Sequence, residues 1–84
     1  MPSMRQEGVI RPEDIVRLLR VSPFEPFRIH MTGGAEFDVT HPELALVSPR
    51  TVMVGTPSER PGIAQDIHHS AILHITRLEV LATT

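Results

Sequence analysis

Two adjacent glycines, Gly33 and Gly34, separate two short runs whose apolar residues recur at every second position, and no other feature of the chain constrains its fold as tightly. Phe27, Ile29 and Met31 alternate with Arg28, His30 and Thr32, the period of a strand with one buried face. A two-residue turn would set Ile29 against Asp38 and Met31 against Glu36, mixing apolar and acidic groups on one face. A three-residue loop of Thr32, Gly33 and Gly34, a type I turn closed by a left-handed glycine bulge, instead pairs Ile29 with Phe37 and Phe27 with Val39. Arg28 then faces Asp38 and His30 faces Glu36, so both surfaces of the predicted hairpin are satisfied at once.

The rest of the chain is read around this hairpin. Residues 1–10 have no apolar period and are expected to form a flexible tail, leaving residues 11–84 as a single domain. A helix is predicted to begin at Pro12, where a missing N–H costs nothing, with Glu13 and Asp14 at the positive end of its dipole and Arg17 and Arg20 at the other. Ile15, Leu18 and Leu19 make its apolar stripe, Val16 lies at the margin, Glu13 can pair with Arg17, and Ser22-Pro23 ends it. After the hairpin, Pro42 marks a kink, residues 44–47 are apolar on both faces, and Pro49-Arg50 turn into a short strand containing Val52 and Val54. Residues 56–62 have loop chemistry throughout, with the mobility that implies. Residues 63–69 read as a fourth strand and 73–81 as a fifth, with Leu73, Ile75 and either Leu78 or Val80 inward and a slip in the alternation near Arg77 that suggests a bulge or helical turn. The expected core is Ile15, Leu19, Phe27, Ile29, Phe37, Val39, Leu46, Val54, Ile67 and Ile75. The predicted fold class is mostly β, a short N-terminal helix followed by a five-stranded, strongly bent antiparallel sheet.

Size shapes the functional expectation. A chain of 84 residues buries only about 60–65% of its unfolded surface. With no cysteine, neither a disulfide nor a thiolate zinc site can reinforce it, and self-association is the remaining common remedy. The formal charge of −2, with five histidines counted as neutral, does not draw polyanions over distance. Residues 1–8 lack the apolar stretch of a signal peptide and no later run is long enough to span a bilayer, so the expectation is a cytoplasmic protein without membrane contact.

The order of one helix and five short strands resembles that of the small SH3-like barrels and of the Sm-like family in particular. Residues Met31-Thr32-Gly33-Gly34-Ala35-Glu36-Phe37 resemble its first hairpin, and the run Ile63-Ala64-Gln65-Asp66-Ile67-His68-His69-Ser70-Ala71-Ile72 is similar to the end of the bacterial Sm-like RNA chaperone Hfq. The resemblance implies a small barrel, a homo-oligomer that could close into a ring, and RNA contacts at His68, His69 and Ser70, which stand where that family has Tyr-Lys-His. It also implies an oligomer interface between the fourth strand of one subunit and the last strand of the next, involving Ile63, Gln65, Ile67, Leu73 and Ile75. The family's lysine and histidine are replaced here, the second strand is about four residues shorter, and the glycine that bends it is missing. The string Pro26-Phe27-Arg28-Ile29-His30, with Gly34 and His41-Pro42-Glu43 after it, also looks like uncharacterised small bacterial proteins.

No catalytic residue, cofactor or metal is predicted. His68, His69 and His74 are the closest histidines, but neighbours in a strand point to opposite faces. His41 and Glu43 are read as a polar bend about Pro42 in preference to an acid–base pair. None of Ser22, Ser48, Ser58 and Ser70 has the strand–turn–helix glycine setting of an activated nucleophile, and Gly33-Gly34 joins two strands without leading into a helix that could hold phosphate. Two function classes remain. One is a non-enzymatic homo-oligomeric interaction module; the other is an RNA-binding Hfq-like protein, disfavoured by the acidic balance and by the lack of Trp and Tyr for base stacking.

Overall fold

A computed structural model describes residues 5–7 and 9–81, and shows a mostly β chain with one short α-helix. Strand β1 is Arg5–Glu7 and helix α1 is Pro12–Leu19. Strands β2 (Phe27–Met31) and β3 (Glu36–Val39) form the hairpin. A 3-10 turn at Pro42–Leu44 leads into β4 (Ala45–Val47), followed by β5 (Thr51–Pro57) and β6 (Ala64–Ala71). A second 3-10 turn, Ile72–His74, precedes β7 (Ile75–Val80).

The hairpin has the register its alternation demands: Phe27 opposes Val39, Arg28 Asp38, Ile29 Phe37 and His30 Glu36. Its turn differs in type. Gly34 N–H donates to the Met31 carbonyl at 3.1 Å, and Gly33, the third residue of that turn, has φ of 91°. A type I turn requires negative φ there, whereas a type II turn requires the left-handed value that glycine adopts without strain.

The strands divide between two antiparallel sheets, β1-β7-β2-β3 and β4-β5-β6, where the sequence suggested one bent sheet of five. Proline is the local cause: Pro42 starts a 3-10 turn, so β3 and β4 are separate strands around a corner. Arg5–Glu7, expected in a loose tail, pair with β7, Arg5 opposite Glu79 and Glu7 opposite Arg77. Residues 1–4 and 8 of that expected tail lie outside the described residues, as do residues 82–84 of the expected domain. The predicted slip near Arg77 is a register shift in which His30 opposes Arg77 and Met31 opposes Ile75. Thr76, the extra residue, sends its hydroxyl to the His30 carbonyl at 3.1 Å.

The core joins the helix to both sheets: Ile10, Ile15 and Leu18 pack with Phe27, Ile29, Val39, Ala45, Val52, Val54, Ile72, Ile75 and Leu78. Leu19 and Phe37 from the expected core are only partly buried. Asp14 is 3% exposed, because its carboxylate turns back to accept the Arg11 backbone N–H at 2.8 Å while its own N–H donates to the Arg11 carbonyl at 2.9 Å. That arrangement gives partners to two donors at the start of α1, the Arg11 and Asp14 N–H groups. It also changes the expected helix-surface pair: Arg17 reaches Asp14 at 3.7 Å, in place of the predicted pairing with Glu13.

Candidate functional site

The outer faces of the two sheets differ in chemistry. On the first sheet, His30 Nε2 lies 2.8 Å from Glu79, His30 Nδ1 lies 3.4 Å from Glu36, and Arg28 is doubly bonded to Asp38. These groups compensate one another within the sheet. On the second sheet, register places Leu46 opposite Met53, and Met53 opposite His69, while Gly55 opposes Ile67. The strand period puts this set on the face away from Val52 and Val54, which are buried. The result is an exposed apolar surface with Leu46 66% and Ile67 56% exposed. Between them a depression of about 210 Å³ is lined by Leu44, Ala45, Gly55 and Ala64 among others, and glycine at 55 keeps it open.

Leu46 and Ile67 are therefore corrections to the expected core. Ala45 pairs with Val54 toward the interior, so its neighbour Leu46 must face outward. The cause at Ile67 is a bulge: Pro57 opposes Ala64 while Thr56 opposes Asp66, leaving Gln65 as an extra residue. One extra residue exchanges the faces of everything after it, so Asp66, His68 and Ser70 take the inner side and Ile67 the outer.

The remaining expected interface residues separate. Ile63 and Gln65 are exposed, and Leu73, expected to point inward, is 87% exposed on the 3-10 turn at 72–74, where the strand period does not operate. Ile75 is 4% exposed and its side chain belongs to the core. The partner edge is also altered. β7 has β2 on one side and β1 on the other, so a fourth-to-last-strand contact between subunits would have to displace Arg5–Glu7.

His68, His69 and Ser70 do not form one surface. The His68 ring stacks on Phe37 with centroids 5.0 Å apart and planes inclined at 30°, in a cleft that Arg28, Asp38 and Thr56 also line. His69 is on the opposite face beside Met53, and half-buried Ser70 opposes Val52. Among the described residues no three His, Asp or Glu side chains converge as a metal-holding group, and no helix is long and apolar enough to cross a membrane. His41 bonds to its neighbour Thr40, Nδ1 to Oγ1 at 3.0 Å.

Among the described residues the longest open edge belongs to β6, which is bonded there only to β5 and is exposed along most of its eight residues. Sequence reasoning identified the strand but not which backbone groups it leaves free. Asp66 N–H donates to Thr56 Oγ1 at 3.1 Å and Ile72 N–H to the Arg50 carbonyl at 2.9 Å, so the even-numbered residues point their backbone toward β5. By the strand period, Ile67, His69 and Ala71 point theirs to the open side.

No family model matches the chain, and comparison with curated proteins and with solved structures likewise gives no match.

Proposed function

We propose that the chain is a non-enzymatic interaction module that assembles with copies of itself, on a small-barrel plan of the Sm kind. The observation that carries this reading is the open edge of β6 beside the exposed apolar residues Leu46 and Ile67. Natural sheets blunt their edges with prolines, cationic side chains or bulges. Past the bulge at Gln65, residues 66–71 contain no proline, lysine or arginine. An 84-residue domain without cysteine gains most from covering such an edge. The barrel plan is supported by the chain path: β3 and β4 are consecutive around the corner at His41 and Pro42, and a 3-10 turn precedes β7. Counting β3 with β4 as one bent strand makes β2 through β7 a five-strand path, to which β1 is added.

RNA binding is the competing reading. A net charge of −2, the absence of Trp and Tyr, and the opposite-facing His68 and His69 all weigh against it. Light scattering at about tens of micromolar protein, a concentration at which ordinary specific complexes persist, tests the module directly. A mass above that of the monomer is expected, and a stable monomer overturns the reading. Fluorescence anisotropy with U-rich and A-rich oligonucleotides is expected to detect no affinity, and tight binding at neutral pH would favour the RNA reading instead.

A further inference from the structure

Resting on the self-association reading above, we infer that two copies pair β6 against β6 antiparallel about a two-fold axis at Ile67, with Asp66 of each copy opposite His68 of the other. The argument begins with which edges are free. A ring of Sm type needs an open last strand, and β7 is paired on both sides. β1 and β4 are each three residues long, β4 running into Ser48-Pro49, and β3 is short and carries Glu36 and Asp38. β6 remains, and a strand that is its own best partner gives a closed isologous contact in place of an open chain of subunits.

Backbone geometry and side chains then select the register. Ile67, His69 and Ala71 direct their N–H and C=O groups outward, so an antiparallel pair must oppose odd-numbered residues with odd-numbered ones. Centring the axis on Asp66 would set two carboxylates against each other. Centring it on His68 would oppose two histidines and set exposed Ile67 against His69. Centring it on Ile67 joins the two isoleucines, which exchange a pair of N–H···O=C bonds, and sets a carboxylate against a histidine N–H donor on both sides of the axis. The two second sheets then form one continuous six-strand sheet, β4-β5-β6 followed by the same strands in reverse. Its outer face brings the Ile67 pair into one apolar band with Met53 and Leu46 of each copy.

Sedimentation velocity over a concentration series tests this, with circular dichroism to verify that each variant is folded. Ile67→Pro removes an N–H that points to the open edge and none that bonds β5, so it should leave the monomer folded and raise the dimer dissociation constant at least about tenfold. Asp66→Lys and His68→Asp each occur twice in the dimer and should each weaken it roughly tenfold, whereas the double variant restores opposite charges across the axis and should return to within about threefold of the parent. A parent protein that is monomeric throughout overturns both the function and this geometry. A self-associating parent in which the double variant is no tighter than the single ones, or whose mass exceeds a dimer, leaves the function standing and overturns the pairing.

Discussion

Arg28 and Asp38 face each other across the β2–β3 hairpin in a two-pronged ion pair, Nε to Oδ1 at 2.7 Å and Nη2 to Oδ2 at 3.1 Å. The hydrogen bond from Arg28 holds the Asp38 carboxyl below its ordinary range, with partial burial opposing and the guanidinium charge adding to the effect. Because the folded-state pKa is lowered, the stabilisation is present above the unfolded value near 4 and is lost as pH falls through the lower folded value. Asp38→Asn should therefore be less stable than the parent at pH 7, modestly so since both side chains are partly exposed. Urea midpoints measured down to about pH 2 should converge; a gap that persists there would show that the charge is not its source.

Ile29 is fully buried at the centre of β2, between β3 and β7. Truncation to alanine removes apolar contacts that the surrounding strands cannot close over. A loss of about 2–5 kcal/mol in equilibrium unfolding is expected. A loss below 1 kcal/mol, roughly the size of an ordinary surface effect, would mean that the two sheets do not pack around this position.

Asp14 accepts the Arg11 backbone N–H at 2.8 Å inside the first turn of α1. Asp14→Ala leaves that donor without its partner and should cost about 1–2 kcal/mol. Asp14→Asn keeps an acceptor oxygen at the same place and should retain most of the stability. Equal losses in the two variants, read from thermal unfolding, would assign the effect to charge in place of the hydrogen bond.

A methyl group at Gly55 would lie 3.0 Å from the Ala64 Cβ and 3.5 Å from Leu44 Cδ2. Since the first of those atoms is fixed to the backbone of β6, Gly55→Ala should destabilise the β5–β6 pair by about 1–3 kcal/mol. Combining it with Ala64→Gly removes the crowding, so the double variant should lose less than the two single losses together. Strict additivity in denaturant unfolding would mean the strands already stand farther apart.

Local period and loop length were enough to determine α1 and the register of the β2–β3 hairpin, though not the type of its turn. Pro12 and the Ile15/Leu18 spacing specify the helix, and one glycine-rich loop length makes both faces of the hairpin agree from Arg28–Asp38 to Ile29–Phe37. The Thr76 bulge was likewise visible as a break in alternation near Arg77. The candidate site was legible only as a strand, with Ile63, Gln65 and Ile67 on it; its faces were not.

Tertiary structure decided those. The extra residue Gln65 exchanges the two sides of β6, carrying Ile67 outward and His68 onto Phe37, and no periodicity within residues 63–69 signals where that residue falls. Leu46 is outward because Ala45 meets Val54, a partner set by the β4–β5 register. Arg5–Glu7 close the far edge of β7, some seventy positions away in sequence, through backbone hydrogen bonds that are indifferent to side-chain pattern. Residue spacing carries information over a turn or a strand, whereas the face an edge strand shows depends on its offset against a neighbour, and that offset exists only once both strands are in place.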